Sequence, residues 1–167
     1  VIYDDKNGSN AAARFWWMLK SVGIKKVQVL DGGLQTAERI GFPTQTKIQY
    51  INKLLEVGFD TLDFGSFVSP KAIPPLADTK DVLKGIKMSG TKLLAIIANQ
   101  RGAEEAVQYD EISYLGFPFS ISETFQKLNT NSTIAESMLR VEEIQTLCLQ
   151  HNKQLVIYIS MGFGNPY

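Results

Sequence analysis

Asp60-Thr-Leu-Asp-Phe-Gly-Ser-Phe-Val-Ser-Pro-Lys71 is a short apolar stretch, Thr61 to Phe64, that runs straight into a polar loop. Its length and composition predict a buried strand, with Ser66, Ser69 and Lys71 past its C-terminal end. In a parallel α/β protein that end is where backbone groups and side chains meet a ligand. Many strands end in Gly-Ser, so the flanking sequence decides what kind of sheet this strand enters.

Downstream, strands and helices alternate. Lys47 to Val57 is amphipathic, with Ile48, Ile51, Leu54 and Leu55 on one face and Gly58 as its stop. Asp78 or Thr79 is placed to cap a short helix carrying Val82, Leu83 and Ile86. Leu93-Leu-Ala-Ile-Ile-Ala98 is a continuous apolar run of strand length, as a parallel strand covered on both faces requires. It delivers Asn99, Gln100 and Arg101 to the same end as Ser66. A brief helix is predicted over 102–109 and a strand over 112–119. The polar run Ser120-Ile-Ser-Glu-Thr-Phe125 and Asn129 follow. Thr133 with Glu136 three residues later forms a capping box. The helix it opens carries Ile134, Met138, Val141, Ile144 and Cys148 on one stripe, with Arg140 to Glu143 read as a solvated face. Leu155 to Ser160 is the last strand. Alternation of this kind predicts an α/β chain with a parallel sheet, and the repeated strand–helix unit favours a (β/α) barrel over a short open sheet.

Upstream, Val1 to Tyr3 begins a strand, and a helix over 11–21 places Ala12, Phe15, Trp16 and Leu19 at helical spacing until Gly23 stops it. Val27 to Leu30 is the next strand, ending in Asp31-Gly-Gly33. This is a βαβ unit with parallel strands.

Composition narrows the function classes. The 167 residues hold 17 lysines and arginines against 17 aspartates and glutamates, so the formal net charge is zero. No basic patch offers itself to nucleic acid or an acidic membrane. No apolar run approaches the roughly 20 residues of a spanning helix, and no signal peptide opens the chain. The one cysteine, Cys148, excludes an internal disulfide and is read as a core residue. These features predict an intracellular, cytoplasmic protein. The chain opens inside a strand and stops just after one, so a fragment, or a joining of two genes, is expected.

From Lys47 to Tyr167, and most specifically over Asp60 to Lys71, the sequence resembles hydroxymethylglutaryl-CoA lyase. That resemblance implies a partial (β/α)8 TIM-type barrel, strands two to five. A complete barrel takes about 250 residues, more than this chain has. It also implies metal-dependent C–C cleavage of 3-hydroxy-3-methylglutaryl-CoA to acetyl-CoA and acetoacetate. Such chemistry needs a base for the tertiary hydroxyl, a divalent cation (Mg²⁺ or Mn²⁺ in the family) and a positive group for the developing enolate. By resemblance, Asp63 and Glu123 are the catalytic candidates. Ser66, Ser69, Lys71, Asn99 and Asn129 are candidates for binding the acyl-CoA substrate. Asp31 is the metal candidate, within Asp31-Gly-Gly-Leu-Gln35, which stands where the family has Arg-Asp-Gly-Leu-Gln. The arginine is missing there and Asp31 lies one residue early. The family's His-x-His pair, later asparagine ligand and mobile cysteine loop have no counterpart before Tyr167. Asn165 replaces the cysteine of the family's Gly-Cys-Pro-Tyr turn. This chain alone is therefore expected to show no lyase turnover. A homo-oligomer is left open.

The opening residues resemble a second family. Ile2-Tyr-Asp-Asp5, Ala12 to Leu19 and Val27 to Leu34 match the middle of a rhodanese-type sulfurtransferase domain. A rhodanese transfers sulfur through a cysteine persulfide, and Asp5 stands where that cysteine would be. A carboxylate cannot carry a persulfide, so the resemblance implies a non-catalytic rhodanese-like βαβ unit used for binding or structure. Two domains are expected on this basis: 1–44, rhodanese-like, and 45–167, lyase-like. Val27–Leu30 is further expected to pair with the strand at Thr61, in place of a first barrel strand.

Overall fold

A computed structural model of the chain describes residues 17–25 and 42–164. The chain divides into two compact units, Val1–Pro43 and Thr44–Tyr167. In the first, residues 17–21 are helical and the helix closes where expected, at Gly23, with φ +89°. Backbone bonds from Gly23 N–H to Lys20 O (3.0 Å) and Ile24 N–H to Leu19 O (3.0 Å) complete the cap. The expected strands at Val1–Tyr3 and Val27–Leu30, the Asp5 position, the Asp31 metal position and the pairing of Val27–Leu30 with the later sheet lie outside the described residues.

The second unit begins with α1 (Thr44–Leu55), followed by β1 (Thr61–Ser66), a 3₁₀ turn at Pro74–Leu76 and α2 (Thr79–Lys84). Then come β2 (Lys92–Ile96), α3 (Gln100–Ala106), β3 (Ile112–Ser120), α4 (Glu123–Thr130), α5 (Ile134–Gln150) and β4 (Gln154–Ser160). Gly58, at φ +82°, lets the chain leave α1 through a left-handed residue, where a side chain would be strained. Asp78 sits at the N-cap of α2 without capping it. Its carboxylate instead accepts from Lys47 Nζ (2.6 Å) and Thr44 Oγ1 (2.7 Å), pinning the start of α1.

All four strands are parallel, in the order β1-β2-β3-β4. Right-handed crossovers between strands laid down in this order place the helices on one face, as in a barrel wall. The core bears this out. Leu93, Ala95 and Ile97 of the second strand segment alternate inward with Leu115, Phe117 and Phe119 of β3, against Ile51 and Leu55 of α1, Val82 and Leu83 of α2, Ala103 and Ala106 of α3, and Ile144 and Cys148 of α5. Cys148 is the fully buried core residue the sequence predicts.

The opposite face carries Asp63, Leu94, Ile96, Gly116 and Tyr158. Tyr158 of β4 reaches Asp63 of β1, with Oη 3.4 Å from Oδ2. Strands spaced about 4.8 Å apart would hold β1 and β4 about 14 Å apart in a flat sheet. The contact therefore requires the sheet to curl with this face concave. Gly116 makes room for the curl: a Cβ there would stand 2.8 Å from Ile96 Cδ1 and 2.8 Å from Tyr158 Cε2. Among the described residues no helix is long and apolar enough to cross a membrane.

Two expectations change, and one unassigned stretch gains an element. Ser66 is the last residue of β1 rather than part of the following loop, because Phe67 N–H continues the ladder to Ile96 O (2.8 Å). The polar run after Phe119, to which the sequence assigns no element, closes β3 at Ser120 and opens α4, with Ser122 as its N-cap. Met138 faces outward, 49% exposed, while Ser137 takes the buried position on α5.

Candidate functional site

The C-terminal ends of the strands hold two separate clusters. The first lies on the concave face. Partial burial raises the Asp63 carboxyl above its ordinary value, and the Tyr158 hydroxyl, donating to it, pulls the other way. Burial first, and Asp63 second, raise the Tyr158 phenol. A carboxyl poised in this way holds its proton to higher pH than a free aspartate. The sign for stability follows. Because the folded value exceeds the unfolded one, the contribution of Asp63 is fully present below the unfolded value and is lost as pH rises through the folded one. Tyr158→Phe removes the hydrogen bond that favours the carboxylate. A carbon-13 NMR titration of the Asp63 carboxyl should then show a still higher pKa, and an unchanged or lower value would refute the hydrogen bond.

The second cluster is a groove of about 550 Å³, in the range of small-molecule sites. Val68, beyond β1, and Ala98 to Arg101, beyond β2, form one wall. Leu128 to Asn131 at the end of α4, with Arg140 and Glu143 of α5, form the other. Each wall is fixed by local chemistry. Asn99 is extended (φ −159°, ψ 172°) and caps α3 by accepting from Gly102 N–H at 2.9 Å, and among the described residues its amide NH₂ has no hydrogen-bond partner. Asn131 closes α4 in the left-handed region, φ 50°, a conformation asparagine tolerates. The capping box starts α5, with Thr133 Oγ1 accepting from Glu136 N–H (3.1 Å) and Glu136 Oε2 accepting from Thr133 N–H (2.8 Å).

The groove brings together Asn99 and Asn129 of the expected substrate-binding set, along with Arg101 and Arg140. The sequence alone assigns neither arginine to a site. Arg140 belongs to the stretch read as a solvated face, yet it is half-buried against the groove. Among the described residues its guanidinium has no ion-pair partner. The remaining expected residues lie elsewhere. Ser66 is buried, its N–H donating to Thr79 Oγ1 (3.1 Å) and its Oγ accepting from Val68 N–H (3.1 Å), so it shapes the turn out of β1. Ser69 O accepts from Ala72 N–H (2.9 Å), and Lys71 is exposed. Glu123 accepts from Ile134 N–H at 3.3 Å, at the start of α5, and shares no hydrogen bond with Asp63. Among the described residues no group of three histidine, cysteine, aspartate or glutamate side chains can hold a metal ion. The described residues therefore do not fit a divalent cation, which needs several hard oxygen ligands in one place.

A curled parallel sheet with helices on its convex face and polar groups at its C-terminal ends defines an α/β protein of the barrel type. Comparison with known proteins narrows this. A hydroxymethylglutaryl-CoA lyase of Bacillus subtilis is 37% identical over 149 residues, which is 89% of this chain and 49% of that protein. The crystal structure of the HMG-CoA lyase of Bacillus subtilis superposes with a TM-score of 0.73 at 35% identity, covering 78% of this chain and 44% of that one. The structure of an HMG-CoA lyase from Acinetobacter baumannii in complex with coenzyme A and 3-methylmalate gives 0.71 at 35% identity, over 76% of this chain and 41% of that one. No family model matches the chain. The chain is thus homologous to the HMG-CoA lyases, and it spans about half the length of the curated relatives it matches. A matched span of 149 residues in a chain of 167 begins no later than residue 19. The similarity therefore runs through Asp31 to Gln35, further back than Lys47, where the resemblance in the sequence begins.

Proposed function

We propose that the groove between Asn99 and Asn129 binds an acyl-coenzyme A, and that the chain represents part of a lyase cleaving 3-hydroxy-3-methylglutaryl-CoA to acetyl-CoA and acetoacetate. The observation that carries this reading is the pairing in one groove of two arginines with two amides. Guanidinium groups suit the phosphates of coenzyme A, and the amide groups of Asn99 and Asn129 suit its peptide-like and hydroxyl groups. That a similar protein is solved with coenzyme A supports the choice of ligand.

Asp63, its carboxyl raised, is the group in this reading that would handle a proton on the concave face, with Glu123, Ser66, Ser69 and Lys71 as further positions implied by the family resemblance. Asp31 is the proposed contributor to a Mg²⁺ or Mn²⁺ site. Since the described residues do not assemble such a site, no lyase turnover is proposed for this chain by itself. A cytoplasmic setting belongs to the same proposal.

A second reading assigns residues 1–44 to a non-catalytic rhodanese-like unit. The division of the chain between Pro43 and Thr44 favours a boundary there. The lyase similarity that reaches into the first unit weighs against a rhodanese origin for all of it.

Calorimetric titration of the chain with coenzyme A at low salt tests the first reading. Binding is expected, and Asn129→Ala should weaken it about tenfold, the worth of roughly one hydrogen bond. Failure of the unaltered chain to bind coenzyme A would sink the proposal. Release of acetyl-CoA from the substrate in the presence of Mg²⁺ would overturn the claim that this chain alone is inactive.

A further inference from the structure

We propose that Gln126 is a positioning residue for the groove: its buried amide fixes the wall carrying Asn129 and Arg140 against the ends of the sheet. This rests on the reading of the groove as a coenzyme A site. Gln126 is 1% exposed and is the buried residue of α4, while the apolar Leu128 of the same helix stays 69% exposed. Three hydrogen bonds run from its amide, one to β3, one to α5 and one within α4 itself. Oε1 accepts from the N–H of Ser120, the last residue of β3, at 2.7 Å. Nε2 donates to Ser137 Oγ of α5 at 2.7 Å and to Thr130 Oγ1 at the end of α4 at 2.9 Å. Ser120 carries the connection on, its Oγ donating to Ser160 O of β4 at 2.9 Å.

These contacts bracket the groove wall. Thr130 itself lines it, Asn129 is the residue before, and Arg140 lies one helical turn beyond Ser137 on α5. An apolar plug would fill the same space and let α4 slide over β3, because dispersion contacts are non-directional. An amide with both its donors and its acceptor engaged permits one arrangement of the three elements, and any shift leaves a buried polar group unpaired. The network therefore sets where the Asn129 amide and the Arg140 guanidinium stand relative to Asn99 across the groove.

Three variants of the full chain test this: Gln126→Met, Ser137→Ala and, as a control, Leu55→Ala in α1, which does not line the groove. Each is titrated with coenzyme A and unfolded in urea. Gln126→Met should raise the coenzyme A Kd about tenfold and Ser137→Ala about threefold, the scale of one hydrogen bond or part of one. Leu55→Ala should lose stability and keep its Kd within about twofold. Should Gln126→Met not fold, Ser137→Ala decides the matter. Loss of stability without loss of affinity in both network variants would make Gln126 a structural residue only and overturn the proposal. If the unaltered chain binds no coenzyme A, the groove reading fails, and amide hydrogen exchange judges the positioning role separately. Faster exchange confined to residues 128–131 supports that role, and a uniform change or none refutes it.

Discussion

Phe117→Ala should cost the fold about 3–5 kcal/mol, measured as a drop in the urea midpoint at constant slope. The side chain is fully buried, on a strand paired on both sides, and it belongs to the cluster that joins the helices to the sheet. Truncation leaves a cavity between sheet and helices that the parallel backbone cannot close without breaking ladder bonds. Against a total stability of about 5–15 kcal/mol, the variant should be only marginally folded at room temperature. A loss below about 1 kcal/mol would mean that β3 is not the centre of a packed core.

Gly102→Ala should reverse the usual rule for helices, in which alanine improves on glycine by about 1 kcal/mol. A Cβ at this position would stand 2.8 Å from the carbonyl oxygen of Phe67 and 3.5 Å from Asn99 Oδ1. The close neighbour is backbone just past β1, so it cannot swing aside as a flexible side chain could. The first turn of α3 has to retreat, which stretches the 2.9 Å cap between Asn99 and Gly102 N–H and moves one wall of the groove. A net destabilisation of about 1–3 kcal/mol is expected, together with weaker coenzyme A binding. A gain of stability on this substitution would show that α3 packs against the end of β1 less closely than the structure has it.

The difference between what the sequence predicts and what the structure contains follows a single physical line. Hydrophobic periodicity finds elements that bury apolar side chains. It located β2 from Leu93 to Ala98 and α5 from its capping box, and it placed Cys148 in the core. It missed α4, which is short and buries the amide Gln126 while its apolar Leu128 stays exposed, so burial there does not follow hydrophobicity. It turned Met138 inward for the same reason: the inward position belongs to Ser137, whose hydroxyl accepts from Gln126 and so is worth more there than a thioether. The groove was half legible. Asn99 and Asn129 were implied by family resemblance, while Arg140 looked like one charge among several on a solvated face.

By itself the sequence determined the α/β class, the strands of the parallel sheet and the lyase resemblance, since each rests on local spacing or on strings such as Asp60 to Lys71. Only the tertiary structure decided which distant groups meet. Curling of the sheet brings Tyr158 to Asp63, 95 residues apart in the chain. The packing of α4 and α5 over the strand ends sets Arg140 and Asn129 across from Asn99. Such contacts depend on strand order, curvature and the directional bonds of a buried amide, and none of these is written in the periodicity of any one segment.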